Sequence, residues 1–201
     1  EKGQPVVNIA QPFKRSGMML TCRAETGIKA PTDFKDKTLG VWFFGNEYPF
    51  MAWMAKLGYK TDGSAGGVKV IKQGFNVDPL IQKQADCIST MTYNEYWQVI
   101  DAGIPADQLV TFKYEDQGVA THEAAQIVVD ADATGAAAIE HQKRMMGEIS
   151  KLTEGSDGTL DMAAADRTVE TLLSAGGEAP VITKKPEGAF STVVTDKAKG
   201  M

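Results

Sequence analysis

The chain has 201 residues, of which 43% are hydrophobic and 23% charged, and these are ordinary values for a folded globular protein rather than a disordered one. Its 21 Lys and Arg residues against 26 Asp and Glu residues give a net charge of −5 without any basic run, which argues against a nucleic-acid-binding protein. No stretch approaches the ~18 consecutive apolar residues of a membrane-spanning helix, and the N-terminus carries no signal-peptide pattern.

Short apolar runs alternate with helical segments through the first part of the chain. The predicted strands span residues 5–10, 18–23, 38–44, 68–71, 87–93 and 109–112, and the predicted helices span 50–57, 78–85 and 94–102. Strand 38–44 is the clearest, because it is rich in β-branched and aromatic residues. Strands that alternate with helices predict an open, mainly parallel α/β sheet.

After Glu123 the pattern becomes helical. Helices are predicted over residues 124–130, 136–152 and 160–173. In the second of these, the helical spacing predicts one buried face for the large apolar residues, which are Met145, Met146, Ile149 and Leu152.

Cys22 and Cys87 are the only cysteines, and each lies within an apolar, strand-like run. We interpret them as two buried thiols that pack as small hydrophobic side chains, with a disulfide as the alternative. With so few cysteines and histidines we expect no structural zinc site, and no metal or other cofactor is predicted.

A polar turn follows strand 38–44, at the position where open α/β sheets bind their ligands. Asn46 and Glu47 supply hydrogen-bonding groups there, directly after a glycine that permits a tight turn. We predict that both contact a ligand, with Tyr48 and Trp42 as secondary candidates. The alternative interpretation is an ordinary helix start beside aromatic residues of the core.

A second turn of the same kind follows strand 87–93 and contains Tyr93, Asn94 and Glu95. Turns after parallel strands lie on the same rim of a sheet, so we expect the two turns to face one cleft. Aromatic faces with a few placed polar groups suit a flat nitrogen heterocycle, whose amino group a carboxylate accepts. Trp97 is interpreted mainly as a residue that packs its helix onto the sheet.

No catalytic arrangement is found, and we predict no catalytic residue. Ser16 lacks the pattern of a nucleophile elbow, and the glycine-rich segment 63–67 lacks the Lys-Ser/Thr that follows a phosphate-binding loop. His122 and His141 are isolated, and we interpret them as surface or capping residues.

Several segments resemble the substrate-binding proteins of the NMT1/THI5-like group, which are type II periplasmic binding proteins related to the sulfonate receptors. The matching stretches are residues 5–11, 30–41, 45–50, 91–95 and 181–189. The linker at 30–41 is shared by many binding proteins and therefore indicates the fold, whereas the two Asn-Glu turns are more particular.

The resemblance implies a two-lobed α/β fold, in which residues 1–33 form part of lobe I, 34–118 form lobe II, and 119–201 return to lobe I. It also implies a monomeric receptor, periplasmic or lipid-anchored, that delivers a small ligand to an ABC transporter permease and is not an enzyme. The expected ligands are thiamine pyrimidine precursors, such as hydroxymethylpyrimidine or formylaminopyrimidine, with riboflavin as the alternative.

Two features set this chain apart from the family pattern. Members of the group begin with further strands and helices of the first lobe, and they carry a helical stretch where this sequence passes directly from Glu123 into Ala124. We therefore expect a partial first lobe. The yeast members resemble this fold but synthesise the pyrimidine, and their cysteine-rich motif does not occur in this sequence. A synthase, or a cytosolic sensor, is the alternative of another class.

Overall fold

The computed structural model describes residues 13–119, 136–174, 182–188, 191–192 and 195–197. The predicted strand at 5–10 and the predicted helix at 124–130 lie outside the described residues.

Five strands of the described chain form one mixed sheet. They are β1 (Met18–Arg23), β2 (Thr38–Val41), β3 (Lys69–Lys72), β4 (Cys87–Met91) and β5 (Leu109–Lys113). Their order across the sheet is β3-β2-β4-β1-β5. β2 runs parallel to β3 and β4, whereas β1 runs antiparallel to β4 and β5. The predicted open, mainly parallel α/β sheet is confirmed, and β1 is its antiparallel member.

Five α-helices accompany the sheet in the described residues. They are α1 (Glu47–Lys56), α2 (Asp78–Ile81), α3 (Glu95–Asp101), α4 (Ala136–Thr153) and α5 (Met162–Ser174). α1 begins three residues earlier than predicted and contains Pro49 in its first turn, where a missing N–H removes no intrahelical hydrogen bond. On α4, Leu152 is buried but Met146 is exposed, so the buried face is narrower than predicted.

The core lies on both faces of the sheet, because successive strand residues point to opposite sides. On β4, Cys87 faces the cluster that α1 covers, and Ile88 faces the cluster that α2 and α3 cover. Edge-to-face aromatic contacts dominate the first cluster: the ring of Phe34 lies 5.4 Å from that of Trp53 and 5.2 Å from that of Phe112. The sheet is therefore the rigid middle layer that positions its end turns.

β2 ends at Val41, three residues before the predicted end of the strand. Residues 42–44 are therefore not part of the strand, and Trp42 and Phe44 do not share a strand face. Phe44 has a left-handed backbone with φ of 65° and is 86% exposed, whereas Trp42 is buried. The chain turns here and enters α1 at Glu47.

The predicted lobe boundary after residue 33 falls within a shared sheet. β1 lies between β4 and β5, so residues 18–23 belong to the same structural unit as the later strands. The division into lobes stays a prediction, and β1 pairs with β4 and β5 of the segment assigned to lobe II. The return of residues 119–201 to lobe I stays a prediction, and α5 contacts α1 of the sheet unit.

Cys22 and Cys87 form a disulfide between β1 and β4, so the interpretation as two free thiols is wrong. The two residues are direct partners in the antiparallel register, and both are fully buried. Side chains at such paired positions lie within a few ångströms of each other. Their sequence separation of 65 residues conceals this proximity.

Candidate functional site

The two polar turns lie at the same edge of the sheet. β2 and β4 are parallel neighbours, and each turn follows the carboxyl end of its strand. The first turn leads from β2 into α1, and the second leads from β4 into α3. This is the edge at which open α/β sheets bind ligands.

The polar groups of the first turn bond mainly to the turn itself. The Glu47 carboxylate accepts a 2.7 Å hydrogen bond from the backbone N–H of Gly45, and the Asn46 amide donates a long 3.4 Å bond to the Phe43 carbonyl. Both side chains are half-buried. This geometry is that of a helix start whose acid satisfies a free backbone donor.

The two secondary candidates of the first turn differ in exposure. Tyr48 is half-buried, and its hydroxyl has no hydrogen-bond partner among the described residues. Trp42 is 2% exposed, and its indole N–H donates to the Gly74 carbonyl at 3.1 Å. Trp42 therefore offers no free polar group to a ligand.

Three further residues at this edge were not among the predicted site residues. Phe44 and Phe75 are 86% and 76% exposed, and the ammonium of Lys72 lies 4.5 Å from the centre of the Phe44 ring. Phe75 also packs on Trp42 with ring centres 5.9 Å apart. A useful sequence signal is that Phe75 closely follows the end of β3, at the same rim as the two turns.

The acid of the second turn has a different environment. Glu95 is 5% exposed, and its carboxylate accepts hydrogen bonds from the backbone N–H of Met91 at 3.0 Å and from the Asn94 amide at 2.9 Å. Burial raises the pKa of Glu95, although these hydrogen bonds act in the opposite direction. No cation of the described chain forms an ion pair with it.

Asn94 links this acid to the neighbouring helices. Its amide oxygen accepts from Gln98 at 3.1 Å and lies 2.9 Å from Nε2 of His141, which is therefore the donor. His141 also faces Asp101, with 3.8 Å between Nδ1 and the carboxylate. The interpretation of His141 as a surface or capping residue is wrong, because the approach of α4 to α3 makes it a partner of a site residue.

Tyr93 and Thr92 border the second turn. A side chain at residue 17 would come within 2.9 Å of the Tyr93 ring, so the glycine there permits the close approach of β1. The Thr92 hydroxyl is buried and has no hydrogen-bond partner in the part of the chain that the structure describes. Such an unsatisfied buried group is uncommon, and it offers a hydrogen bond to a ligand or a water molecule.

Backbone pairing between β2 and β4 stops before the two turns, although the Ser89 hydroxyl still donates to the Gly40 carbonyl at 3.3 Å. β2 and β4 pair at only two positions, Leu39 with Cys87 and Gly40 with Ile88. Beyond them, the side-chain amide of Gln73 bonds to both backbone groups of Ser89. The described residues thus contain a strand gap that sequence reasoning did not predict.

Among the described residues, no group of three or more His, Cys, Asp or Glu side chains is arranged to hold a metal ion. The described helices also include none that is long and apolar enough to cross a membrane. The described side chains at this edge supply hydrogen-bonding groups, one buried carboxylate and aromatic surface.

Comparison with known proteins gives a family and a fold. A model of the NMT1/THI5-like family matches residues 1–144, well over half of the chain. No curated protein sequence matches the chain. A solved structure of a protein from Bordetella bronchiseptica RB50 is similar over 99% of this chain and 76% of its own, with 16% sequence identity and a TM-score of 0.54.

Two solved receptors show weaker similarity. A polar amino acid ABC uptake transporter substrate-binding protein from Streptococcus thermophilus matches over 79% of this chain, with 17% identity and a TM-score of 0.38. The L-cystine solute receptor of Neisseria gonorrhoeae matches over 86% of it, with 13% identity and a TM-score of 0.30. The chain spans 61% of the length of each receptor.

The predicted fold class is confirmed. The sheet topology and the likeness to the Bordetella structure along almost the whole chain agree with an α/β fold of the type II periplasmic-binding-protein class.

Proposed function

The chain belongs to the NMT1/THI5-like family, and from this premise we propose that it is the solute-binding protein of an ABC importer, specific for a flat nitrogen heterocycle. The observation that carries the proposal is the environment of Glu95. A buried carboxylate that has no cation partner among the described residues, at the ligand-binding edge of an α/β sheet, is a candidate binding group.

The chemistry of Glu95 selects the type of ligand. An ionised carboxylate is an acceptor only, so it pairs with a ring amino group or with a protonated ring nitrogen. Aminopyrimidines carry both groups on one edge. The thiamine precursors hydroxymethylpyrimidine and formylaminopyrimidine are therefore the proposed ligands.

The remaining predicted residues are assigned to the proposed site as inner or outer contacts of the ligand. Tyr93 and Asn94 flank Glu95 and are the proposed partners for stacking and for a second hydrogen bond. Asn46, Glu47 and Tyr48 lie on the first turn at the same edge and are proposed as outer contacts. Trp42 contributes by supporting the exposed ring of Phe75 rather than by touching the ligand.

One observation favours riboflavin as the second candidate. Phe44 and Phe75 expose large aromatic faces at this edge, and a three-ring flavin covers more of such a surface than a single pyrimidine does. The two ligand types therefore differ in whether these two rings contribute to affinity.

An extracytoplasmic location, with a transporter permease as partner and a monomeric receptor, forms part of the proposal. The disulfide between Cys22 and Cys87 supports it, because disulfides persist mainly in oxidising compartments such as the periplasm. A cytosolic sensor would keep these thiols reduced.

A thermal-shift and calorimetry series on the purified full-length protein tests this function with hydroxymethylpyrimidine, formylaminopyrimidine and riboflavin. A ligand at 100 times its Kd adds about 2.7 kcal/mol to the free energy of unfolding. We expect one of the three to stabilise the protein and to be recovered unchanged by mass spectrometry. Stabilisation by none of them would refute the ligand class, and a chemically altered ligand would favour the synthase.

A further inference from the structure

The gap between β2 and β4 is bridged by side chains instead of backbone. After the pair Gly40 and Ile88, β4 continues for three residues without pairing to β2. Ser89 and Met91 point their backbone N–H groups to the same side of the strand, since they are two residues apart. Ser89 bonds to Gln73, and Met91 bonds to Glu95.

The Gln73 amide replaces a strand at this position. Its oxygen accepts from the Ser89 N–H at 2.8 Å, and its nitrogen donates to the Ser89 carbonyl at 2.9 Å and to the Asn76 carbonyl at 3.2 Å. The side chain is 4% exposed. Only an amide supplies a donor and an acceptor together in this form, because a carboxylate cannot donate and an aliphatic side chain can do neither.

Gly40 leaves the room that this amide occupies. A Cβ at residue 40 would lie 3.3 Å from the amide oxygen of Gln73 and 3.1 Å from a methyl group of Ile88. β3 supplies the other support, because the backbone N–H of Gln73 donates to the Val41 carbonyl at 2.9 Å. The side chain is therefore held from β3 and reaches across to β4.

We propose that Gln73 is a positioning residue of the ligand site: its amide takes the place of β2 beside Ser89 and so fixes the Met91–Glu95 turn at the end of β4. This inference rests on the proposed function, since it assigns Gln73 to the same site. Without the amide, the Ser89 backbone groups either pair with β2 and close the gap or stay unsatisfied. Both outcomes displace Met91, whose N–H holds the Glu95 carboxylate.

Two substitutions of Gln73 and one matched control test this role. Gln73→Leu removes both hydrogen bonds to Ser89, and Gln73→Glu keeps the acceptor but loses the donor until its carboxyl group is protonated. Thr90→Val is the control, because it deletes a buried hydrogen bond of the next β4 residue, to Thr21 on the opposite neighbour β1. All variants are compared in the full-length protein under conditions in which each is folded.

Affinity for hydroxymethylpyrimidine, formylaminopyrimidine and riboflavin is the first readout. At pH 7.5 we expect Gln73→Leu and Gln73→Glu to bind about tenfold more weakly than the parent or worse. At pH 5, Gln73→Glu should recover relative to Gln73→Leu, because burial favours its protonated form, which donates to Ser89 again. Thr90→Val should stay within about twofold of the parent, although it is less stable.

Hydrogen exchange of the ligand-free protein is the second readout and needs no ligand. Gln73→Leu should speed exchange of the Met91 amide about tenfold or more, and Thr90→Val should not. Unchanged Met91 exchange in Gln73→Leu overturns the inference, whether or not a ligand binds. Parental affinity in both Gln73 variants, or equal weakening by Thr90→Val, also overturns it. A parent protein that binds none of the three ligands refutes the proposed function instead.

Discussion

The two strand-to-helix turns contain the same Asn-Glu pair in different surroundings. In the first, Glu47 is half-exposed and bonds to the backbone of its own turn. In the second, Glu95 is buried and connects the end of β4 to Asn94. The same two residue types thus form a self-bonded helix start after β2 and include a candidate binding group after the neighbouring strand β4.

Position in the sheet explains this difference. β4 has neighbours on both sides, and its second turn is covered by β1 and by α4, which approaches through His141. The first turn meets fewer neighbours, and its aromatic residues Phe43 and Phe44 extend toward Lys72 and solvent. Burial, rather than the motif, alters the pKa of an acidic side chain and makes it a candidate ligand-binding group.

The largest expected effect comes from the disulfide that ties β4 to β1. Replacing both Cys22 and Cys87 by alanine removes the covalent link between residues that are 65 positions apart in the sequence. By the loop-entropy model this should lower the free energy of unfolding by about 4 kcal/mol. Hydrogen exchange should rise more in the second turn than in the first, because the second turn follows β4, which carries the disulfide, and the first follows β2, which does not. Equal stability of parent and variant in urea denaturation, or a uniform rise in exchange, would contradict this difference between the strands.

An effect of intermediate size is expected at Phe44, where the first turn places a bulky residue at a φ of 65°. Left-handed backbone costs an ordinary residue about 1–2 kcal/mol and costs glycine little. Phe44→Gly should therefore be about 1 kcal/mol more stable than Phe44→Ala, since both lose the same exposed ring. Urea denaturation of the two variants checks this, and equal stabilities would show that the turn is not strained.

The smallest expected effect is the pH dependence of the free energy of unfolding that Glu95 causes. Because burial raises the pKa of Glu95, the folded protein holds this proton more tightly than the unfolded chain. That contribution to stability is complete below pH 4.5 and is lost as the pH rises through the raised pKa. Glu95→Gln does not titrate, so the free energy of unfolding of the parent minus that of the variant should fall from pH 4 to pH 8.

Denaturant unfolding of parent and Glu95→Gln across this pH range gives the measurement for Glu95. A difference that stays constant would show that the pKa of Glu95 is the same in both states, and one that grows with pH would show that the hydrogen bonds to its carboxylate outweigh burial.

Sequence reasoning predicted the parts of this fold that local patterns determine. The strand and helix order followed from apolar runs and helix periodicity, and the two polar turns were placed at one edge because their strands are parallel. The antiparallel insertion of β1 and the contact of Gln73 with Ser89 were not predicted, and the Cys22–Cys87 bond was only the alternative interpretation. Each joins residues distant in the chain, and their pairing depends on packing that no local pattern carries.

The candidate site was predicted only in its residue types. Local sequence did not distinguish Glu47 from Glu95, because the two acids differ in burial and burial is a property of the assembled sheet. Gln73 was not predicted and His141 was assigned to a surface or capping role, since a lone polar residue on a helix or after a strand usually faces solvent. The informative signal for Gln73 was its position directly after β3, at the same edge as the two turns.

The most direct measurement compares the affinities of Glu95→Gln and Glu47→Gln in the full-length protein for whichever of hydroxymethylpyrimidine, formylaminopyrimidine and riboflavin stabilises the parent. Loss of a buried charged partner costs on the order of 1–3 kcal/mol, so calorimetry should show binding at least about fivefold weaker for Glu95→Gln. Glu47→Gln should stay within about threefold of the parent, because its acid is half-exposed and already bonded to Gly45. Parental affinity in both variants would contradict the assignment and would leave both turns as ordinary helix starts.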